Sequence, residues 1–121
     1  MTATYADAHL LACADAIGAL GNRIGLYYGS TRVGTIYADT TWGSAAKVTE
    51  DGNTWGKVVG STVTILVPAS TVPSGTIIDG YGIFNGTTLL RRETMPLSII
   101  VNDGSQAFTV DVTPIFRYRP I

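Results

Sequence analysis

Thr76-Ile-Ile-Asp-Gly-Tyr-Gly-Ile-Phe-Asn85-Gly86-Thr-Thr-Leu-Leu90 is the stretch on which the fold turns. Its β-branched and aromatic residues favour a strand over 76–84, with Gly80 and Gly82 marking close packing or a bulge. Asn85-Gly86 is a strong hairpin signal, because a type I′ turn wants positive φ at both central positions. It joins Ile83-Phe84 to Thr87–Leu90.

The same grammar extends in both directions. Ile24–Tyr28 and Arg32–Tyr37 flank Gly29-Ser30-Thr31 and read as a first hairpin. Thr40–Ala46 is a short strand containing Trp42, and Glu50-Asp51-Gly52-Asn53 is a polar turn or exposed loop. Val58–Val67 holds Val63, Ile65 and Val67 at period two, one buried face, and stops at Pro68, which cannot donate to a ladder. Residues 69–75 form a loop. Leu97–Val101 and Ala107–Val112 face each other across Asn102-Asp103-Gly104-Ser105 as another hairpin, and Pro114 limits pairing before Ile115–Arg119. About seven or eight short strands at such spacing predict a mainly β domain, an antiparallel sandwich or barrel.

Residues 4–20 differ. They are rich in Ala and Leu, and apolar residues at 6, 10, 13, 17 and 20 lay a stripe along one helical face. Thr4 is placed to cap this helix, with Asp7 three residues on at the positive end of its dipole. Gly21-Asn22 is the expected left-handed stop. The stripe of Leu10, Cys13 and Ile17 predicts packing against the sheet or a neighbouring chain. The division is therefore one domain over 1–121: a helix at about 4–20 and a β body at about 24–119.

Composition narrows the functions. Apolar residues are 45% of the chain, enough for a packed core, whereas charged residues are only 14% against about 25% in ordinary soluble domains. The surface must then be mostly Thr, Ser, Gly and Asn, which suits burial against other protein. Eight basic and nine acidic residues give a net charge of −1, without the basic excess of a nucleic-acid binder. Only Arg91-Arg92 and the Arg117–Arg119 tail can seed a basic face. No apolar run reaches the roughly 18 residues of a membrane span, no basic residue precedes Arg23 as in a secretory signal, and Cys13 alone makes no internal disulfide.

Catalytic chemistry has little to use. His9 and Cys13, four apart on one helical face, supply two metal ligands where zinc needs three or four. His9 is the one available base for a Ser-His-Asp or Cys-His site, and no nucleophile elbow accompanies it. Among the acids, Asp79 and Asp111 are the pair inside strands, where outward-facing positions explain them better than glycoside hydrolysis. Gly80-Tyr81-Gly82 lacks the lysine and helix of a phosphate loop. No enzyme activity, cofactor or metal is expected. Tyr27, Tyr28, Tyr37, Trp42, Trp55, Tyr81 and Tyr118 would suit a sugar-stacking platform, with core or interface packing as the plainer explanation.

Three segments carry a resemblance. Thr41-Trp42-Gly43-Ser44-Ala45, Thr64-Ile65-Leu66-Val67-Pro68-Ala69 and Asp79–Gly86 followed by Leu89-Leu90 resemble, in order and spacing, segments of small virion proteins of tailed bacteriophages. Lys47–Gly60 has no counterpart in that pattern. The resemblance implies a structural protein of the virion, assembled in the host cytoplasm. It would decorate or cement the capsid exterior through contacts with the major capsid protein or other virion proteins, as a homo-oligomer without nucleic-acid or membrane partners. A tail or fibre component touching host glycan is the alternative, and a free carbohydrate-binding module the third. Attachment is expected through the two ends and the Trp55 loop: Tyr5, Trp55, Arg117, Tyr118 and Arg119, residue types enriched at interface cores. Arg117 and Arg119 share one face of a strand, with Tyr118 on the other, and can clamp carboxylates.

Overall fold

A computed structural model describes residues 6–119. The chain runs α1 (Asp7–Gly18), β1 (Arg23–Tyr28), β2 (Thr31–Arg32), β3 (Ala38–Asp39), β4 (Ala46–Glu50), β5 (Asn53–Val59), β6 (Val63–Val67), β7 (Ile77–Asn85), β8 (Thr88–Ile100), β9 (Phe108–Val112) and β10 (Ile115–Tyr118). The protein is mainly β, with one N-terminal helix and antiparallel sheets in a sandwich-like arrangement. Among the described residues the strands number ten rather than seven or eight, and two of them, β2 and β3, are two-residue pieces that both pair with β1.

The main sheet has the order β2-β1-β7-β8, with β3 beside β1; the others are β10-β5-β4 and the ribbon β6-β9. The larger core lies between the main sheet and the ribbon. Ile24, Leu26, Ile78, Tyr81 and Ile83 face Val63, Ile65, Val67, Val110 and Val112, with Val33, Val72 and Val101 closing its rim. A smaller core joins Ala14 of the helix to Val58 and Phe116 of the three-stranded sheet.

Turn chemistry sets the hairpins. Asp51 and Gly52 both have positive φ, 54° and 74°, as a type I′ turn between β4 and β5 requires. The β7–β8 turn differs from expectation. Asn85 pairs with Thr88, so Gly86 and Thr87 are central, and only Gly86 has positive φ. That is the type II′ pattern, which wants glycine at the first central position; Gly29-Ser30 between β1 and β2 repeats it.

Four sequence expectations are corrected. Residues 58–67 are not one strand: Gly60 donates to the Pro114 carbonyl and Ser61 to that of Thr41, so the chain leaves one sheet and enters another. Thr40–Ala46 is not a strand; Trp42 makes one isolated bridge, to Gly60. Residues 97–101 and 107–112 do not pair, because β8 lies wholly along β7 while β9 pairs with β6. The Asn102–Ser105 segment is thus a crossover between sheets. Finally, the strand expected over Arg32–Tyr37 reduces to the two residues of β2, and Gly34 turns the chain at a φ of 56°. Within β8, residues 95–98 stand opposite Asp79 alone, between the pairs Ile78–Ile99 and Gly80–Thr94.

The helix is shorter and rotated. Thr4 lies outside the described residues, and the N-cap, Ala6, makes no side-chain cap bond. The fully buried positions are Leu10, Ala14 and Gly18; of the expected stripe, Ile17 packs half-buried against the smaller core and Cys13 is half-buried. Close approach to β5 decides this: a Cβ on Gly56 would stand 3.0 Å from the Ala14 Cβ and 3.2 Å from the Leu10 carbonyl oxygen. Small residues on both elements allow that distance, so the small face turns inward. Gly21 is not in the left-handed region. It is glycine because a Cβ there would meet the backbone of Phe84.

Candidate functional site

Period two and the β5–β10 register assemble the expected interface residues on one sheet. Arg117 pairs with Lys57 and Tyr118 with Gly56. Trp55, Lys57 and Arg117 therefore share the face away from the helix, while Tyr118 packs on the other against Ala14, Val58 and Phe116. The Arg117 Cζ lies 4.3 Å from the Trp55 ring centroid and that of Arg119 lies 5.9 Å away. Tyr5 lies outside the described residues.

This cluster is tied within the chain. Trp55 Nε1 donates to the Glu50 carbonyl at 2.9 Å. Arg117 Nη1 donates to Glu50 Oε1 at 2.9 Å and Asp51 Oδ2 at 3.0 Å, and Lys57 Nζ holds Glu50 Oε2 at 3.1 Å. The bond from Lys57, assisted by Arg117 and opposed by desolvation, keeps the Glu50 carboxyl below its ordinary 4.5. The Asp51 bond, with that of Glu50, raises Arg117 further above the usual arginine range. The carboxylates that Arg117 clamps are thus its own chain's.

A second arrangement escaped sequence reading because its members are scattered from 23 to 92. The main sheet has an open face opposite its core. Register places Arg23, Gly25 and Tyr27 of β1 beside Phe84, Gly82 and Gly80 of β7, with Arg92 beside Gly82 and Arg32 beside Tyr27. The Tyr27 and Phe84 rings stack 6.4 Å apart at 13° over a floor of glycine. A Cβ on Gly82 would stand 2.7 Å from Tyr27 Cε2 and 2.9 Å from Phe84 Cε1. Guanidinium groups cover the rings: Arg32 Cζ is 4.2 Å from the Phe84 centroid and Arg92 Cζ 5.5 Å from that of Tyr27. Arg23 lies 3.7 Å over the exposed Tyr37 ring. The traceable signal was the Arg-x-Gly-x-Tyr run of β1, whose alternation sets an arginine, a gap and a ring on one face.

The remaining candidates take ordinary places. Asp79 accepts from the Gly29 N–H at 3.1 Å, and Asp111 accepts from Thr64, its cross-strand partner, at 2.7 Å. His9 Nε2 and Cys13 Sγ are 3.6 Å apart on the helix surface. Among the described residues no group of three His, Cys, Asp or Glu side chains gathers around a common point. Of the aromatics that would suit a sugar platform, Tyr27 and Tyr81 are 7% and 3% exposed and so covered, whereas Tyr37 is exposed with Arg23 over its ring. Comparison with protein-family models, curated proteins and solved structures finds no match to the chain.

Proposed function

We propose that this protein is a structural component of a tailed-bacteriophage virion, decorating or cementing the capsid exterior through contacts with the major capsid protein or another virion protein. The carrying observation is an apolar patch outside both cores. Ile77 and Ile100 are cross-strand partners, 50% and 61% exposed, and Leu97 on the β8 excursion is 80% exposed. The exposed Ile77–Ile100 pair is the kind of apolar surface that marks a protein contact. The resemblance of residues 41–45, 64–69 and 79–90 to small virion proteins supplies the setting, and a surface sparse in charge avoids the desolvation cost of Lys and Glu at an interface.

Added to capsids that lack it, the purified protein is expected to co-sediment with them. Leu97→Asp and Ile100→Asp, folded by circular dichroism, are expected to weaken that binding about tenfold or more, as truncation of interface anchors does. Undiminished co-sedimentation of both variants would remove the patch from the proposal. Failure of the wild type to bind, with binding to host cell wall instead, would favour a tail or fibre role.

A further inference from the structure

We propose that the open face of the main sheet docks a carboxylate-bearing segment of a protein partner, with Arg32 and Arg92 as its anchors. This rests on the assembly reading above and gives it a second surface with a stated chemistry.

Charge pairing singles out these two groups. Arg23, Lys47, Lys57, Arg91 and Arg117 each have a carboxylate of the same chain within ion-pair distance. Among the described residues Arg32, Arg92 and Arg119 have none, and the first two share one sheet face. Arg32 Nη2 reaches the carbonyls of Thr35 and Ile36 at 3.5 and 3.4 Å, and Arg92 Nη1 that of Gly29 at 3.4 Å. Each guanidinium is anchored by one terminal nitrogen and keeps the other without a protein acceptor. Lying 4.2 Å from the Phe84 centroid and 5.5 Å from that of Tyr27, each with a backbone acceptor, the two guanidinium groups are positioned before a partner arrives, which lessens the side-chain entropy lost on binding.

The acids of this face are already engaged. Asp39 is 3.6 Å from Arg23 and Asp79 accepts from Gly29, while Glu93, the cross-strand partner of Tyr81, stands on the opposite face with Arg91. A groove of about 360 Å³ beside Arg92, lined by Tyr27, Ser30, Asp79 and Thr94, gives a chain segment somewhere to lie. A planar fork matches a carboxylate bidentately, which fixes the partner's orientation. Single-stranded nucleic acid fits less well. It wants open rings for its bases, and these rings are capped by guanidinium in a chain of net charge −1.

The test measures binding of poly-L-glutamate to the purified protein at low salt, with a thymidine oligonucleotide as the phosphate arm. Poly-glutamate is expected to bind and to be released by added salt. Arg32→Gln with Arg92→Gln should weaken it at least about tenfold, the loss of 1.4 kcal/mol or more, and the double Lys variant by an intermediate factor because a point charge lacks the fork. Thr94→Glu, at an exposed position, should weaken it without touching the stacked rings, which covers the case in which the double variant does not fold. Poly-glutamate binding unchanged in folded double-Gln protein and in Thr94→Glu overturns the proposal, as does tighter binding of the oligonucleotide. Capsid co-sedimentation of the same variants is scored separately: a protein that ignores capsids yet holds poly-glutamate through Arg32 and Arg92 loses the virion reading and keeps this one.

Discussion

The Tyr81 hydroxyl holds the backbone of Ile115 twice, donating to its carbonyl at 3.0 Å and accepting from its N–H at 2.9 Å. Tyr81 belongs to β7 in the main sheet and Ile115 opens β10 in the three-stranded sheet. One side-chain oxygen therefore fastens the two sheets where no ladder joins them.

Tyr81→Phe keeps the ring and strands both Ile115 groups. Leaving buried polar groups unpaired costs about 1–3 kcal/mol, and urea denaturation should show a loss of that size with an unchanged m-value.

Alkaline pH tests the same strut. Burial raises the Tyr81 phenol above its ordinary 10.0, with Glu93 adding to the rise and the Ile115 bond and Arg91 opposing it. The folded state then favours the neutral phenol more than the unfolded state does. This contribution is complete below pH 10.0 and is lost as pH rises through the folded value. Wild-type stability should fall more steeply above pH 10.0 than that of Tyr81→Phe.

Acid tests the Trp55 cluster with the opposite sign. Glu50 titrates below 4.5, so its contribution is present above that value and lost as pH falls through the folded one. Carboxyl titration followed by NMR should place the Glu50 midpoint under 4.5 and move it upward in Lys57→Met, the Lys57 bond being the largest cause. An unmoved midpoint would assign the shift to another group.

Helix rotation predicts an order of mutational costs. Ala14 is fully buried over Gly56, whereas Ile17 is half-buried. Ala14→Leu overpacks that contact and should cost about 1–3 kcal/mol, while Cys13→Leu, one position round the helix, should cost less. Chemical denaturation of the two variants decides which face is inward.

Gly82→Ala places a methyl where Tyr27, Phe84 and Leu89 already come within 3.0 Å of its position. The rings must lift from the sheet, at about 1–3 kcal/mol for an overpacked site. Near-ultraviolet circular dichroism should show the lost aromatic packing together with a lower Tm.

What the sequence by itself determined was local. Val63, Ile65 and Val67 alternate, and all three are buried; the Gly29 and Asp51-Gly52 turns fall where turn chemistry puts them; the Ala-rich run is a helix. Each depends on φ, ψ and side-chain parity over a few residues, so a few residues suffice to read it. Parity also separated Arg117 from Tyr118, because one strand step always reverses the face.

Tertiary structure decided whatever required a partner distant in the chain. Residues 97–101 and 107–112 are adjacent strands in sequence and belong to different sheets, since β9 completes a core face with β6 that β8 could not. The helix turned its small residues inward because Gly56, more than forty residues from its N-terminus, left room for close approach. Arg23, Arg32, Phe84 and Arg92 became neighbours through the register of four strands, and a register slip of one residue would have sent any of them to the opposite face. Strand pairing is selected by the total burial it achieves, a quantity that no short segment carries.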